Sequence, residues 1–246
     1  MSSKYPNPWR SPRLHYRAIR PCDKPIFLAL TTDPAMYMAS THATLKLPTE
    51  QDADENMHQG PPSAGEGNSE SLLQAIIWRP HDTPIASLPL EQKEAVLEEM
   101  KRVNPAQILD PEYGVAVGHI HSAPSSLHEA HHRTMEIALD ILPAYQGKGY
   151  GSEAINWALD FGFRRAGLHS VRLRAFGWNK GAIRLYERLG FVVEGREREA
   201  VWFEGEWWDS FTLGMLDREW RAREAGKQEE AEFGHMDEEA QFGHVE

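Results

Sequence analysis

The chain has 246 residues, enough to bury one substantial core, and its single cysteine, Cys22, excludes an intramolecular disulfide framework and suits a reducing compartment. The formal charge is −11, but residues 224–246 hold eight acids against one base, which puts −7 there and −4 on the other 223 residues; a chain this acidic argues against a nucleic-acid footprint. There is no zinc-spaced Cys/His set, no run of eighteen apolar residues and no apolar N-terminal segment, so no metal, membrane span or signal peptide is expected.

In chain order, Leu14 to Ile19 reads as a short edge strand, and Pro21-Cys22-Asp23-Lys24 introduces an apolar periodic stretch, Ile26 to Leu30, that ends near Asp33-Pro34. Residues 48–71 are rich in Pro, Gly, Ser, Gln and Glu and poor in large apolar side chains. Such a segment cannot offset the entropy of ordering, and the composition predicts a mobile inserted loop. Leu90 to Val103 combines Glu/Lys pairs at helical spacing with apolar Leu90, Val96, Leu97 and Met100, the pattern of an added, exposed amphipathic helix. Tyr113 to His121 and Thr134 to Leu142 are β-branched and alternating, and predict two antiparallel core strands.

From Gly151 the apolar residues Ala154, Ile155, Ala158, Leu159, Gly162 and Phe163 form one helix face, stopped by Gly167. Val171, Leu173 and Ala175 alternate with Arg172 and Arg174 as a strand. Asn179 then caps a helix carrying Ala182, Ile183, Tyr186 and Leu189 before Gly190. Val192 to Trp202 and Trp207 to Leu216 are strand-like and meet at Glu204-Gly205; Trp202, Trp207 and Trp208 are expected in core or rim packing. The tail repeats Glu229–His235 as Glu238–His244 at a nine-residue offset in an acidic context, so 224–246 is expected to be disordered.

The segment with most chemical content is Gln146-Gly147-Lys148-Gly149-Tyr150-Gly151, between a strand and a helix. Glycines let backbone N–H groups turn toward a ligand, and the helix N-terminus adds partial positive charge, so a phosphate or pyrophosphate is the expected guest. A Walker loop is excluded because Gly149, not Ser or Thr, follows Lys148. A dinucleotide fingerprint lacks its third glycine, at Ser152, and its distal acid, where Val171 and Arg172 stand.

This run resembles the Gln/Arg-x-x-Gly-x-Gly/Ala pyrophosphate loop of the GNAT superfamily, and Asn179 to Phe191 looks like that superfamily's strand-five to helix-four segment. Gly195 to Arg198 and Trp207-Trp208-Asp209 resemble the subgroup that includes ribosomal-protein N-terminal acetyltransferases. The resemblance spans Tyr113 to Leu216 and is loose over residues 10–40. It implies the GNAT fold: α+β, a central, mostly antiparallel twisted sheet of six to seven strands, flanked by helices and splayed at the cofactor cleft. Residues 1–223 would form one acyltransferase domain. The implied cosubstrate is acetyl-CoA, without metal, and the implied acceptor a small amine or a protein or peptide N-terminus. No nucleic acid or membrane partner, a monomer or homodimer, and a cytoplasmic setting with nuclear location open complete the expectation. A non-catalytic acyl-CoA-binding or interaction module is the alternative.

By the same resemblance, the backbone at Ile141 and Leu142 would pair with pantetheine. The amides of Gly147, Lys148, Gly149, Tyr150, Gly151 and Ser152 would hold the pyrophosphate, Gln146 would shape the loop and Asn179 would contact the coenzyme. Tyr186 matches the position of a tyrosine that protonates the coenzyme sulfur, and Glu136 that of a glutamate that removes the amine proton, often through water. Asp140 shares strand parity with Glu136, so either is the candidate base. His119 and His121 have suitable intrinsic pKa values but are read as structural or solvent-facing.

Overall fold

The computed structural model describes residues 7–36, 47–58, 69–81, 88–103, 108–123 and 125–227. The elements are β1 (His15–Arg17), α1 (Lys24–Thr32), α2 (Glu50–His58), β2 (Ser69–Glu70), β3 (Gln74–Arg79), α3 (Leu90–Val103), β4 (Leu109–Asp110), β5 (Gly114–Ser122) and β6 (Ser125–Ser126). They continue as β7 (Thr134–Ile141), α4 (Tyr150–Leu159), β8 (Ser170–Phe176), α5 (Lys180–Leu189), β9 (Val192–Phe203) and β10 (Glu206–Leu216), and the helix over 217–227 is α6.

The main sheet runs β1-β3-β5-β7-β8-β10-β9, with β4 against β5, and every pairing is antiparallel except β7 with β8. That parallel pairing ends at Ile137 opposite Leu173, although β7 continues to Ile141 and β8 to Phe176. The sheet therefore splays there, while β5 stays paired with β7 up to Ile141 and β10 with β8 up to Phe176.

Each face is covered by helices, because alternate strand residues are apolar on both sides. On one face Ile155, Trp157 and Leu159 of α4 pack with Ile77, Ile137, Leu173 and Leu213. On the other Ile26, Phe27 and Leu30 of α1 cover Ile76, Trp78 and Ala116. Past Leu159 the chain continues as a π-helix, Asp160–Arg165, and Gly167 follows in the left-handed region at φ 64°.

The structure corrects four expectations. The stretch 48–71 is not all loop, since Glu50–His58 is helical. A reciprocal capping box explains it: Asp52 N–H donates to Thr49 Oγ1 (3.2 Å) and Thr49 N–H to Asp52 Oδ2 (2.7 Å). Ala53 is fully buried against α1, and Lys24 Nζ bonds Asp54 Oδ2 at 3.0 Å; residues 59–68 lie outside the described residues. Strand β3, whose Ala75 to Trp78 form a short apolar run, has no counterpart in the expected elements. The tryptophans divide: Trp202 and Trp207 are 59% and 58% exposed on the outer hairpin, whereas the Trp208 indole N–H reaches the Phe203 carbonyl at 3.2 Å. Residues 224–227, assigned to the tail, form the last turn of α6, held by the Lys227–Glu224 pair at 2.7 Å; 228–246 lie outside the described residues.

Candidate active site

At the end of β7 the Leu142 N–H donates to the Val117 carbonyl (3.0 Å), and a short 3-10 turn, Pro143–Tyr145, reverses the chain. Gly147 and Gly149 then take left-handed φ values of 73° and 80°, which only glycine adopts without strain, and α4 begins at Tyr150. Gln146 staples the loop, its Nε2 donating to the Ile141 carbonyl at 2.8 Å. The Lys148 side chain folds back, Nζ donating to the Ala144 carbonyl at 2.8 Å. Consecutive turned amides opening a helix are the physical fit for a pyrophosphate, and a side chain at Gly147 would meet nothing within 4 Å, so the approach is open.

An open cleft of ≈ 1230 Å³ runs from this loop through the splay. Ile141, Gln146, Gly147, Gly149, Tyr150, Gly151, Ser152 and Asn179 line its loop end, together with Tyr186; Leu142 and Lys148 do not line it. Leu142 is instead buried against the α1 cluster. Since the Leu142 N–H and Glu136 carbonyl both face β5, alternation turns the N–H of Ile141 and both backbone groups of Leu139 toward the open side. Leu139, which the sequence left without a role, thereby turns both backbone groups toward the cleft. The period-2 pattern of β7 was the signal that could have found it.

The far end of the cleft is floored by three strands. Gln74 lies opposite His121, His121 opposite Ala138, and His119 opposite Asp140, so these side chains share one face, and Glu136 joins them by parity. Phe27 and Thr31 of α1 and Asp52, Glu55 and Asn56 of α2 form the wall. The α2 residues were missed because their stretch was read as a loop, although Thr49-x-x-Asp52 was a legible cap.

Tyr186 is 8% exposed, and burial, followed by the negative charge of Asp140, pushes its phenol up to about 12. Asp140 is thus the carboxylate that senses this phenol. Glu136 lies further along β7 and faces Arg174, Nε to Oε1 3.7 Å, both half-exposed. Asn179 caps α5, its Oδ1 accepting from the Ala182 N–H at 3.0 Å. His119 and His121 are stacked with ring centroids 4.8 Å apart. Burial, and then the neighbouring His121, push His119 down to about 3, and burial also lowers His121, so both are neutral at pH 7. Among the described residues no group of three or more His, Cys, Asp or Glu side chains is arranged to hold a metal ion.

Comparison with known proteins agrees with this geometry. The model of the Acetyltransferase (GNAT) family matches residues 73–191. The chain is 36% identical over 92 residues to the spermidine N(1)-acetyltransferase of Vibrio cholerae, covering 37% of this chain and 53% of that protein. It is 32% identical over 91 residues to the Escherichia coli enzyme of the same name, covering 37% and 49%. The chain thus spans about half the length of these curated relatives. Among solved structures, the Vibrio cholerae spermidine N-acetyltransferase in complex with CoA and spermine superposes with TM-score 0.59 at 20% identity, over 85% of this chain and 98% of that one. A GNAT-family acetyltransferase from Bacillus anthracis gives 0.58 at 20% identity over the same shares. The order of the main sheet, its splay and these superpositions give the chain the GNAT fold, and residues 73–191 are similar to the Acetyltransferase (GNAT) family.

Proposed function

We propose that the protein transfers acetyl from acetyl-CoA directly to the primary amine of a small cationic acceptor. The observation that carries this is one continuous cleft joining the glycine loop and the buried Tyr186 to a floor and wall bearing Asp52, Glu55, Glu136 and Asp140, against Arg174 on the same stretch. Acetyl-CoA supplies the activated acyl group. The loop amides from Gly147 to Ser152 and the N-terminus of α4 bind its pyrophosphate, and the backbone of Leu139 and Ile141 aligns its pantetheine arm.

An amine attacks only as a neutral nucleophile, so an ammonium must first lose a proton. Glu136 is the base in this reading, directly or through water, and Asp140 is the neighbouring carboxylate able to relay the proton. Tyr186, protonated at every physiological pH, donates its proton to the departing sulfur. Four acids facing the acceptor end favour a ligand with more than one positive charge, which agrees with relatives named for spermidine. A peptide or protein N-terminus is the other acceptor class raised by the sequence resemblance.

A panel of spermidine, spermine, a monoamine and unblocked peptides, assayed with acetyl-CoA, tests the reading. Polyamines are expected to give kcat/KM at least about tenfold above the monoamine, a difference of about 1.4 kcal/mol. Preference for peptides would move the acceptor to the second class. Acetyl-CoA binding without turnover of any amine would favour a non-catalytic binding module. Gly147→Asp supplies the control: a left-handed site tolerates Asp at modest cost, so the fold persists while a carboxylate opposes the pyrophosphate and weakens acetyl-CoA about tenfold or more.

A further inference from the structure

Glu153 lies in the first turn of α4, at the helix end that the glycine loop opens. A bare carboxylate there would repel a pyrophosphate held by the loop and oppose the favourable end of the helix dipole. The N-terminal segment meets that charge. Ser11 Oγ donates to Glu153 Oε1 at 2.6 Å, the Arg13 N–H to Oε1 at 2.7 Å, and Arg13 Nε to Oε2 at 2.7 Å, leaving the carboxylate 10% exposed. The same guanidinium reaches the loop: Nη1 donates to the Lys148 carbonyl at 3.1 Å, the group lies 4.9 Å from the Tyr150 ring centre, and Nη2 stands 3.2 Å from where a Gly149 Cβ would be.

The segment is anchored independently of Arg13. The Trp157 indole N–H donates to the Pro8 carbonyl at 2.8 Å, and the Tyr16 ring stacks on Trp157 with centroids 3.6 Å apart. Arg13 is therefore delivered to the loop by packing at two other points. Neither Arg13 nor Glu153 lines the cleft, so both act from behind the binding surface.

We propose that Arg13 is a positioning residue for the coenzyme: by bridging the Lys148 carbonyl and the Glu153 carboxylate it fixes the loop between the left-handed Gly147 and Gly149 and cancels a negative charge at the helix end that receives the pyrophosphate. The inference rests on the acetyl-CoA reading above and extends it to the N-terminal segment, which lies outside the residues matched by the family model. It also gives a reason why a half-exposed guanidinium is fixed at two points, Nε on the Glu153 carboxylate and Nη1 on the Lys148 carbonyl, where an ordinary surface ion pair contributes little.

The test is calorimetric binding of acetyl-CoA and of acetyl-pantetheine, which lacks the pyrophosphate, to the natural protein, Arg13→Ala, Arg13→Lys and Arg13→Ala combined with Glu153→Gln, alongside steady-state kinetics. The expected result is that Arg13→Ala weakens acetyl-CoA and raises its KM about tenfold, as loss of one charge-assisted contact and exposure of one opposing charge imply. Acetyl-pantetheine affinity, amine KM and kcat stay within about twofold. Arg13→Lys restores part of the affinity, and so does the added Glu153→Gln. Acetyl-CoA affinity unchanged in Arg13→Ala, or acetyl-pantetheine weakened as much as acetyl-CoA, overturns the proposal. No acetyl-CoA binding by the natural protein brings down the coenzyme reading itself, an outcome separate from binding that ignores Arg13. Should Arg13→Ala unfold, Arg13→Lys carries the same comparison, because it keeps the charge and cannot reach the Glu153 carboxylate and the Lys148 carbonyl from one planar group.

Discussion

Tyr186 keeps its proton throughout the physiological range because its site is dry and Asp140 adds negative charge nearby. A proton donor matched to a departing thiolate must meet that condition. Tyr186→Phe preserves the ring packing and is expected to lower kcat by about 100-fold, the low end for loss of a general acid, with the acetyl-CoA KM within about twofold. An unchanged kcat would return the residue to a packing role. His119 shows the opposite use of burial. In the unfolded chain a histidine titrates near 6.5, in the fold His119 titrates at about 3, and between those values the unfolded state holds the extra proton. Its contribution to stability is therefore complete above pH 6.5 and is lost as pH falls toward 3, with a slope near 1.4 kcal/mol per pH unit for one proton. Denaturant titrations from pH 7 to 4 should show that slope, and His119→Gln should make it shallower.

At the scale of elements, the cleft depends on two local devices. One is the premature end of the β7–β8 pairing, which leaves backbone groups on β7 open to an extended ligand. The other is α2, which lays polar and acidic side chains along the acceptor wall and is started by the Thr49–Asp52 box. Thr49→Ala is expected to cost roughly 1 kcal/mol of local stability. Because α2 lines the cleft beside α1 through Asp52, Glu55 and Asn56, the amine KM should rise severalfold while acetyl-CoA affinity holds. Equal loss of both would mean that α2 supports the whole cleft. The outer hairpin follows a different rule: Glu204 and Gly205 both have positive φ, 49° and 83°, which suits a tight turn, and the long edge strand β9 carries Glu199 at φ 52°, an irregularity that blunts edge pairing.

Across the whole molecule, acetyl-CoA would contact β7, the loop, α4 and α5 together, and so tie the two sides of a splayed sheet. At a ligand concentration 100 times Kd this should add about 2.7 kcal/mol to unfolding, a rise in Tm of roughly 5–10 °C for a domain of this size. Scanning fluorimetry with and without acetyl-CoA measures it directly, and an unmoved Tm at saturating ligand would contradict the proposed coenzyme site. Charge has the same global character: −7 of the −11 lies in residues 224–246, so the body is close to balance and its local acids, not the total, set the field in the cleft.

The sequence by itself determined the parts whose physics is local: the glycine loop, the start of α4, the stop at Gly167, the Asn179 cap, and the turn at Glu204-Gly205, though not the change to a π-helix after Leu159. In each, a backbone requirement is met by residues within a few positions of one another. The same locality made Thr49-x-x-Asp52 legible, and composition hid it, because a polar nine-residue helix is stabilised by its cap and by one buried alanine rather than by an apolar face. Tertiary structure alone decided which carboxylate lies near Tyr186, that Glu136 faces Arg174, that two histidines become neutral neighbours, and that Arg13 meets Glu153 across 140 residues of chain. Those relations depend on strand register and helix packing, which bring distant residues onto one face, and on desolvation, which appears only once the core has closed.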